Sequence, residues 1–107
     1  MFGIFKKKEQ AWPFDQPENC AVFTIKQIME KQLPILTVYH DQDDNGWQFL
    51  SNTELNMNDA MVVCLKNVVD IDSTVLEVAH IKPGFHAWRS KVGEKWIIEE
   101  TPPDEDE

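Results

Sequence analysis

The sequence predicts an α+β fold, a mainly antiparallel sheet with about two helices packed on one face. Residues 47–51 alternate in polarity behind a β-branched run at 35–40, which is a hairpin pattern. Two further stretches place apolar residues at helical spacing behind a side chain able to cap a helix. The order of these strands and helices along the chain is that of an α+β domain.

Taken in order, Cys20 to Phe23 reads as a short apolar strand. Thr24 can cap a following helix whose apolar positions Ile25, Ile28, Met29 and Leu33 recur at helical spacing, and Pro34 ends it. Ile35 to His40 and Trp47 to Ser51 are the two arms of the hairpin, with Trp47 and Phe49 on one face and Gln48 and Leu50 on the other. Asn45-Gly46 supplies the positive φ that the turn needs. Residues 52–60, NTELNMNDA, form a polar connection with room for one helical turn, and Met61 to Leu65 reads as a short buried strand or the start of a mixed segment. Asp72 or Ser73 can cap a second helix through Val75, Leu76 and Ala79, after which Pro83-Gly84 ends the connection. Phe85 to Ser90 and Lys95 to Glu99 read as two more strands, joined by a loop containing Gly93.

A chain of 107 residues suits one domain. The domain is expected over residues 10–100, between a basic N-terminal arm at 1–9 and an acidic, disordered tail at 101–107, TPPDEDE. Ten basic and nineteen acidic residues give a net charge of −9, and residues 10–98 alone hold seven basic and twelve acidic ones, a net charge of −5. Such a surface repels nucleic acid and anionic membrane, and a cationic protein is the better electrostatic match. The N-terminal MFGIFKKK has its charges after a short apolar run and lacks the hydrophobic region of a secretory signal, and no stretch reaches the length of a membrane span. A cytoplasmic location is therefore expected. Cys20 and Cys64 lie in apolar settings and are read as buried, reduced thiols.

The acidic turn HDQDDNGW raises the question of calcium. Asp41, Asp43, Asn45 and Gly46 match the first half of a calcium loop, but Asn52 stands at the twelfth position, where a bidentate glutamate belongs, and Glu54 comes two residues late. Strand-like flanks favour a hairpin turn. No other catalytic or metal constellation is visible: His40, His80 and His86 lack ligand spacing, and there is neither a nucleophile elbow nor a glycine-rich phosphate loop. Asp70 and Asp72 are explained by capping at a helix start. Of Trp12, Trp47, Trp88 and Trp96, the best interface candidate is Trp88. If Ala87 faces the core, Trp88 points outward beside a cationic neighbour, Arg89.

Three runs in order, Asp44-Asn45-Gly46-Trp47-Gln48-Phe49-Leu50-Ser51, Asp70-Ile71-Asp72-Ser73-Thr74-Val75-Leu76-Glu77 and Pro83-Gly84-Phe85-His86-Ala87-Trp88-Arg89, followed by Trp96, form a pattern over roughly residues 18–98. It resembles a small bacterial domain family of uncharacterised function that is grouped with the immunity proteins of polymorphic toxin systems. Asn52-Thr53 departs from that pattern where the family tends to have glycine, and Ser73 departs where it favours proline. The resemblance implies a class of role, toxin neutralisation, and hands down no binding residue.

These readings converge on a non-enzymatic binding protein that uses no cofactor or metal and neutralises a protein partner, a cationic toxin domain under the family resemblance. Asp41, Asp43, Asp44 and Trp88 are the partner-binding candidates. The alternative is a structural or regulatory interaction domain of the bacterial cytoplasm.

Overall fold

The computed structural model describes residues 12–102, so the basic arm and the last five residues of the acidic tail lie outside the described residues. The described chain runs β1 (Ala21–Ile25), α1 (Lys26–Met29), β2 (Thr37–His40), β3 (Trp47–Leu50), a 3-10 turn (Met57–Asp59), β4 (Ala60–Cys64), α2 (Leu65–Ile71), a 3-10 helix (Ser73–Val78), β5 (Phe85–Trp88) and β6 (Ile97–Glu100). These strands form one sheet in the order β4-β1-β3-β2-β5-β6. Only the β1–β3 pairing is parallel, at Phe23 and Gln48. The α+β class read from the sequence is the one observed.

Register divides the sheet into two faces. Val22, Thr24, Val38, Phe49, Trp47 and Ala87 are buried, and Ile28, Leu65, Val68, Val75 and Val78 from the helical segments close over them to form the core. Among the described residues no helix covers the opposite face, called the open face below. Trp47 holds the covered face together near the hairpin: Phe14 meets it edge-on with centroids 5.0 Å apart, His40 stacks on it at 3.9 Å, and its Nε1 donates to Gln16 Oε1 at 2.8 Å. The His40 Nδ1 donates to the Ile81 carbonyl at 2.8 Å, which fixes the ring over the indole and ties β2 to the approach to β5.

Several elements differ from the sequence reading. Thr24 is a strand residue rather than a helix cap, and its hydroxyl donates to the Phe49 carbonyl at 2.7 Å in the parallel β1–β3 seam. Helix α1 starts without a side-chain cap and stops at Met29, well before Pro34. There Lys31 adopts φ 64°, its N–H donates to Ile28 O, and the Gln32 N–H donates to Gln27 O, which is the Schellman ending. Residues 65–71 form the longest helix described, where the sequence suggested no helix. Asp72 does cap, but the element it starts is the 3-10 helix, with Oδ1 accepting from both the N–H and the hydroxyl of Thr74.

β4 is an edge strand among the described residues, so Met61 and Val62 are exposed rather than buried, and Cys64 at its end is exposed as well. Cys20 is partly exposed. The apolar run from Met61 to Leu65 fits a buried strand, but Val62 stands on the open face opposite Phe23, while Val63 is partly buried against the core and Leu65 fully buried in it. At the other edge, Thr101, read as the first residue of the tail, still belongs to the domain: its N–H donates to Gly84 O at 2.8 Å, and its hydroxyl shares a 2.8 Å hydrogen bond with His86 Nδ1.

Candidate functional site

The acidic turn is a six-residue connection, Asp41–Gly46, closing the hairpin between the paired His40 and Trp47. Its geometry follows from local polar groups. The Asp41 N–H donates to Gly46 O at 2.8 Å, and the Gly46 N–H donates to Asp44 Oδ1 at 2.9 Å. Asn45 alone supplies the positive φ, 60°, since Gly46 does not adopt one. Asp41 Oδ2 accepts from Gln48 Nε2 at 2.9 Å, so this carboxylate lies along the open face of β3. Asp43 and Asp44 are exposed and Asp41 is half-buried. Among the described residues no three His, Cys, Asp or Glu side chains are grouped to hold a metal ion.

Trp88 is 37% exposed on the open face, as the alternation with fully buried Ala87 requires. The structure does not bring it to the acids. Trp88 pairs with Thr37 at the start of β2, whereas the acidic turn leaves from His40 at the other end of that strand. Three residues of extended chain separate the two positions by about 10 Å along the strand. Arg89, read as the cationic neighbour of Trp88, is withdrawn from the surface altogether. It is 3% exposed, donates from Nε and Nη2 to Ile35 O at 3.2 and 3.0 Å and from Nη2 to Asp72 Oδ2 at 2.8 Å, and lies 4.0 Å from the centroid of the Trp96 ring.

Cross-strand register builds a row across the open face: Val62, Phe23, Gln48, Tyr39, His86, Glu99. A second row, Leu50, Thr37, Trp88, Ile97, lies beside it. Two separate depressions lie on this face. One holds Trp88, His86, Tyr39, Thr37 and Asn52. There His86 Nε2 comes within 3.4 Å of Glu99 Oε1, with Glu99 itself about half exposed. The other lies toward β4, where Phe23, Leu55, Met57 and Val62 meet Asp41, Asp44 and Gln48. The sequence singled out Asp41 and Asp44 but missed their apolar neighbours. Leu55 and Met57 sit in a segment read as polar connection, and Val62 in a strand read as buried.

No family model matches the chain, and neither do any of the curated proteins or solved structures it was compared with. No helix among the described residues is long and apolar enough to cross a membrane.

Proposed function

We propose that the chain is a non-enzymatic, cytoplasmic binding protein that neutralises a cationic protein partner, in the manner of the toxin-immunity family its sequence resembles. The observation that carries this reading is the acidic turn. Asp41, Asp43 and Asp44 stand at the end of a hairpin whose arms, β3 and β2, are the two central strands of the described sheet, each hydrogen-bonded on both sides, so a sheet scaffold presents the loop. Carboxylates fixed in this way, on a chain of net charge −9, steer a basic partner toward one end of the sheet and raise its encounter rate. Occlusion of a partner needs no catalytic group.

The test is association kinetics with a partner recovered by affinity capture, together with growth rescue of cells expressing that partner. Asp41→Asn/Asp43→Asn/Asp44→Asn keeps the side-chain acceptors that shape the turn and removes its charge. It should slow association at low salt by about tenfold and flatten the salt dependence, with little change in dissociation. Unchanged association, or a chain that binds the partner without protecting the cell, would count against neutralisation through this turn.

A further inference from the structure

The depression beside β4 combines an apolar floor with an acidic border. Its apolar part is formed by Phe23 on the open face of β1, Val62 directly opposite on β4, and Leu55 and Met57 from the connection that precedes β4. Val62, Met57 and Leu55 are 70%, 64% and 43% exposed. Singly, exposed apolar side chains need no explanation, but here three of them converge with a half-buried phenylalanine. The same groove is bordered by Asp41 and Asp44, and among the described residues no lysine, arginine or histidine lines it. The Trp88 depression, by contrast, carries His86, whose ring reaches the Glu99 carboxylate on the neighbouring strand.

We propose that this groove docks a cationic, amphipathic segment of the protein partner, with apolar side chains seated on Phe23, Leu55, Met57 and Val62 and lysine or arginine set against Asp41 and Asp44. The inference rests on the binding-protein reading and deepens it, because it names the partner's chemistry and moves the apolar half of the contact from Trp88 to the β4 end. The charge pattern selects among occupants. A second copy would carry the same net charge of −9 and the same carboxylates into the contact, and nucleic acid or an anionic membrane would meet them as like charge. A segment that is apolar on one side and basic on the other satisfies both halves of the groove. Burying its apolar side chains slows dissociation, while the charges at the border speed encounter.

The experiment is an amide chemical-shift titration of the isotope-labelled full chain with a short amidated peptide alternating leucine and lysine. A serine–lysine peptide and a leucine–glutamate peptide serve as controls. The leucine–lysine peptide should give saturable shifts centred on Phe23, Leu55, Met57 and Val62, and neither control should match it. Leu55→Ser/Met57→Ser, both exposed and remote from the core, should weaken binding by about tenfold through lost apolar burial. Asp41→Asn/Asp44→Asn should weaken it by about fivefold at low salt and by less at high salt. Equal binding of either control, shifts centred on Trp88, or self-association that buries the groove in a second copy would overturn the inference. If the peptide fails here while the triple Asn variant still slows association of the captured partner, the groove falls and the neutralising role stands. If the groove binds peptide but that variant leaves partner kinetics unchanged, the role falls and the groove stands.

Discussion

At the scale of single residues, the most consequential polar contact is the one Arg89 makes, because its guanidinium has left water almost completely. Burial of a charge is costly unless each donor finds an acceptor. Here the Ile35 carbonyl and the Asp72 carboxylate accept from Nε and Nη2, and the Trp96 ring covers one side. Asp72 is fully used as well, since Oδ2 accepts from Arg89 and Oδ1 from Thr74. Arg89→Met leaves a largely buried carboxylate and a carbonyl without their donor, and should destabilise the fold by about 3–5 kcal/mol. Asp72→Asn keeps an acceptor for Thr74 but strands the guanidinium. In denaturant unfolding, the double variant should therefore lose less than the sum of the single ones, by about 2 kcal/mol, and strict additivity would show that the pair is uncoupled. The strand period already placed Arg89 on the face of Ala87; its charge argued for the surface. What sequence could not supply was Asp72, seventeen positions away, as the group that makes burial tolerable.

Among the elements, the helices were the least legible and the central hairpin the most. The hairpin could be read because alternation, β-branching and a turn sequence agree over residues 35–51. Helix α2 could not, because Val68-Val69-Asp70-Ile71 favours a strand by local preference and Cys64 offers no side-chain cap, so its helical state comes from burying Leu65 and Val68 against the sheet. The length of α1 was misjudged for a different reason. Apolar spacing continues to Leu33, but the chain reverses at Lys31 into the left-handed region, which costs a residue bearing Cβ about 1 kcal/mol. Lys31→Gly removes that penalty at some expense in unfolded-state entropy, so a net stabilisation of about 0.5 kcal/mol is expected at the denaturation midpoint. Destabilisation would mean that the exposed Lys31 side chain contributes more than its backbone costs. At the calcium half-motif, the Asp41 carboxylate accepts from Gln48 and the adjacent Asp44 carboxylate accepts from the Gly46 N–H, so two of the turn's three acids shape the hairpin itself. The apolar groove escaped the sequence because it is assembled from β1, β4 and the connection between β3 and β4, and no local pattern announces that juxtaposition.

For the whole molecule, charge sets a last expectation, in which two effects of salt oppose one another. Screening weakens attractive ion pairs, which lowers stability, and also weakens repulsion among like charges, which raises it. The attractive side is small among the described residues. Their exposed lysine pairs are Lys66–Asp70 at 3.0 Å and Lys26–Asp59 at 3.8 Å, and solvent-exposed pairs of this kind contribute little to stability. Asp70 does hold the Lys66 ammonium above its ordinary pKa, first through their hydrogen bond and then through its charge, but both groups are solvent-exposed. The Arg89–Asp72 pair lies out of water, where salt has little access. On the repulsive side stand a net charge of −9 and three aspartates within four positions on the acidic turn. Repulsion should dominate, so raising sodium chloride from about 0.02 M to about 0.5 M should increase Tm by about 3–5 °C for a domain of this size. Asp41→Asn/Asp43→Asn/Asp44→Asn should raise Tm in low salt and shrink the salt increment, because it relieves the densest repulsion without removing the hydrogen bonds that form the turn. A Tm that falls with salt in the parent chain would show that attractive pairs outweigh the acid excess, and the turn would then have to be regarded as electrostatically satisfied within its own domain.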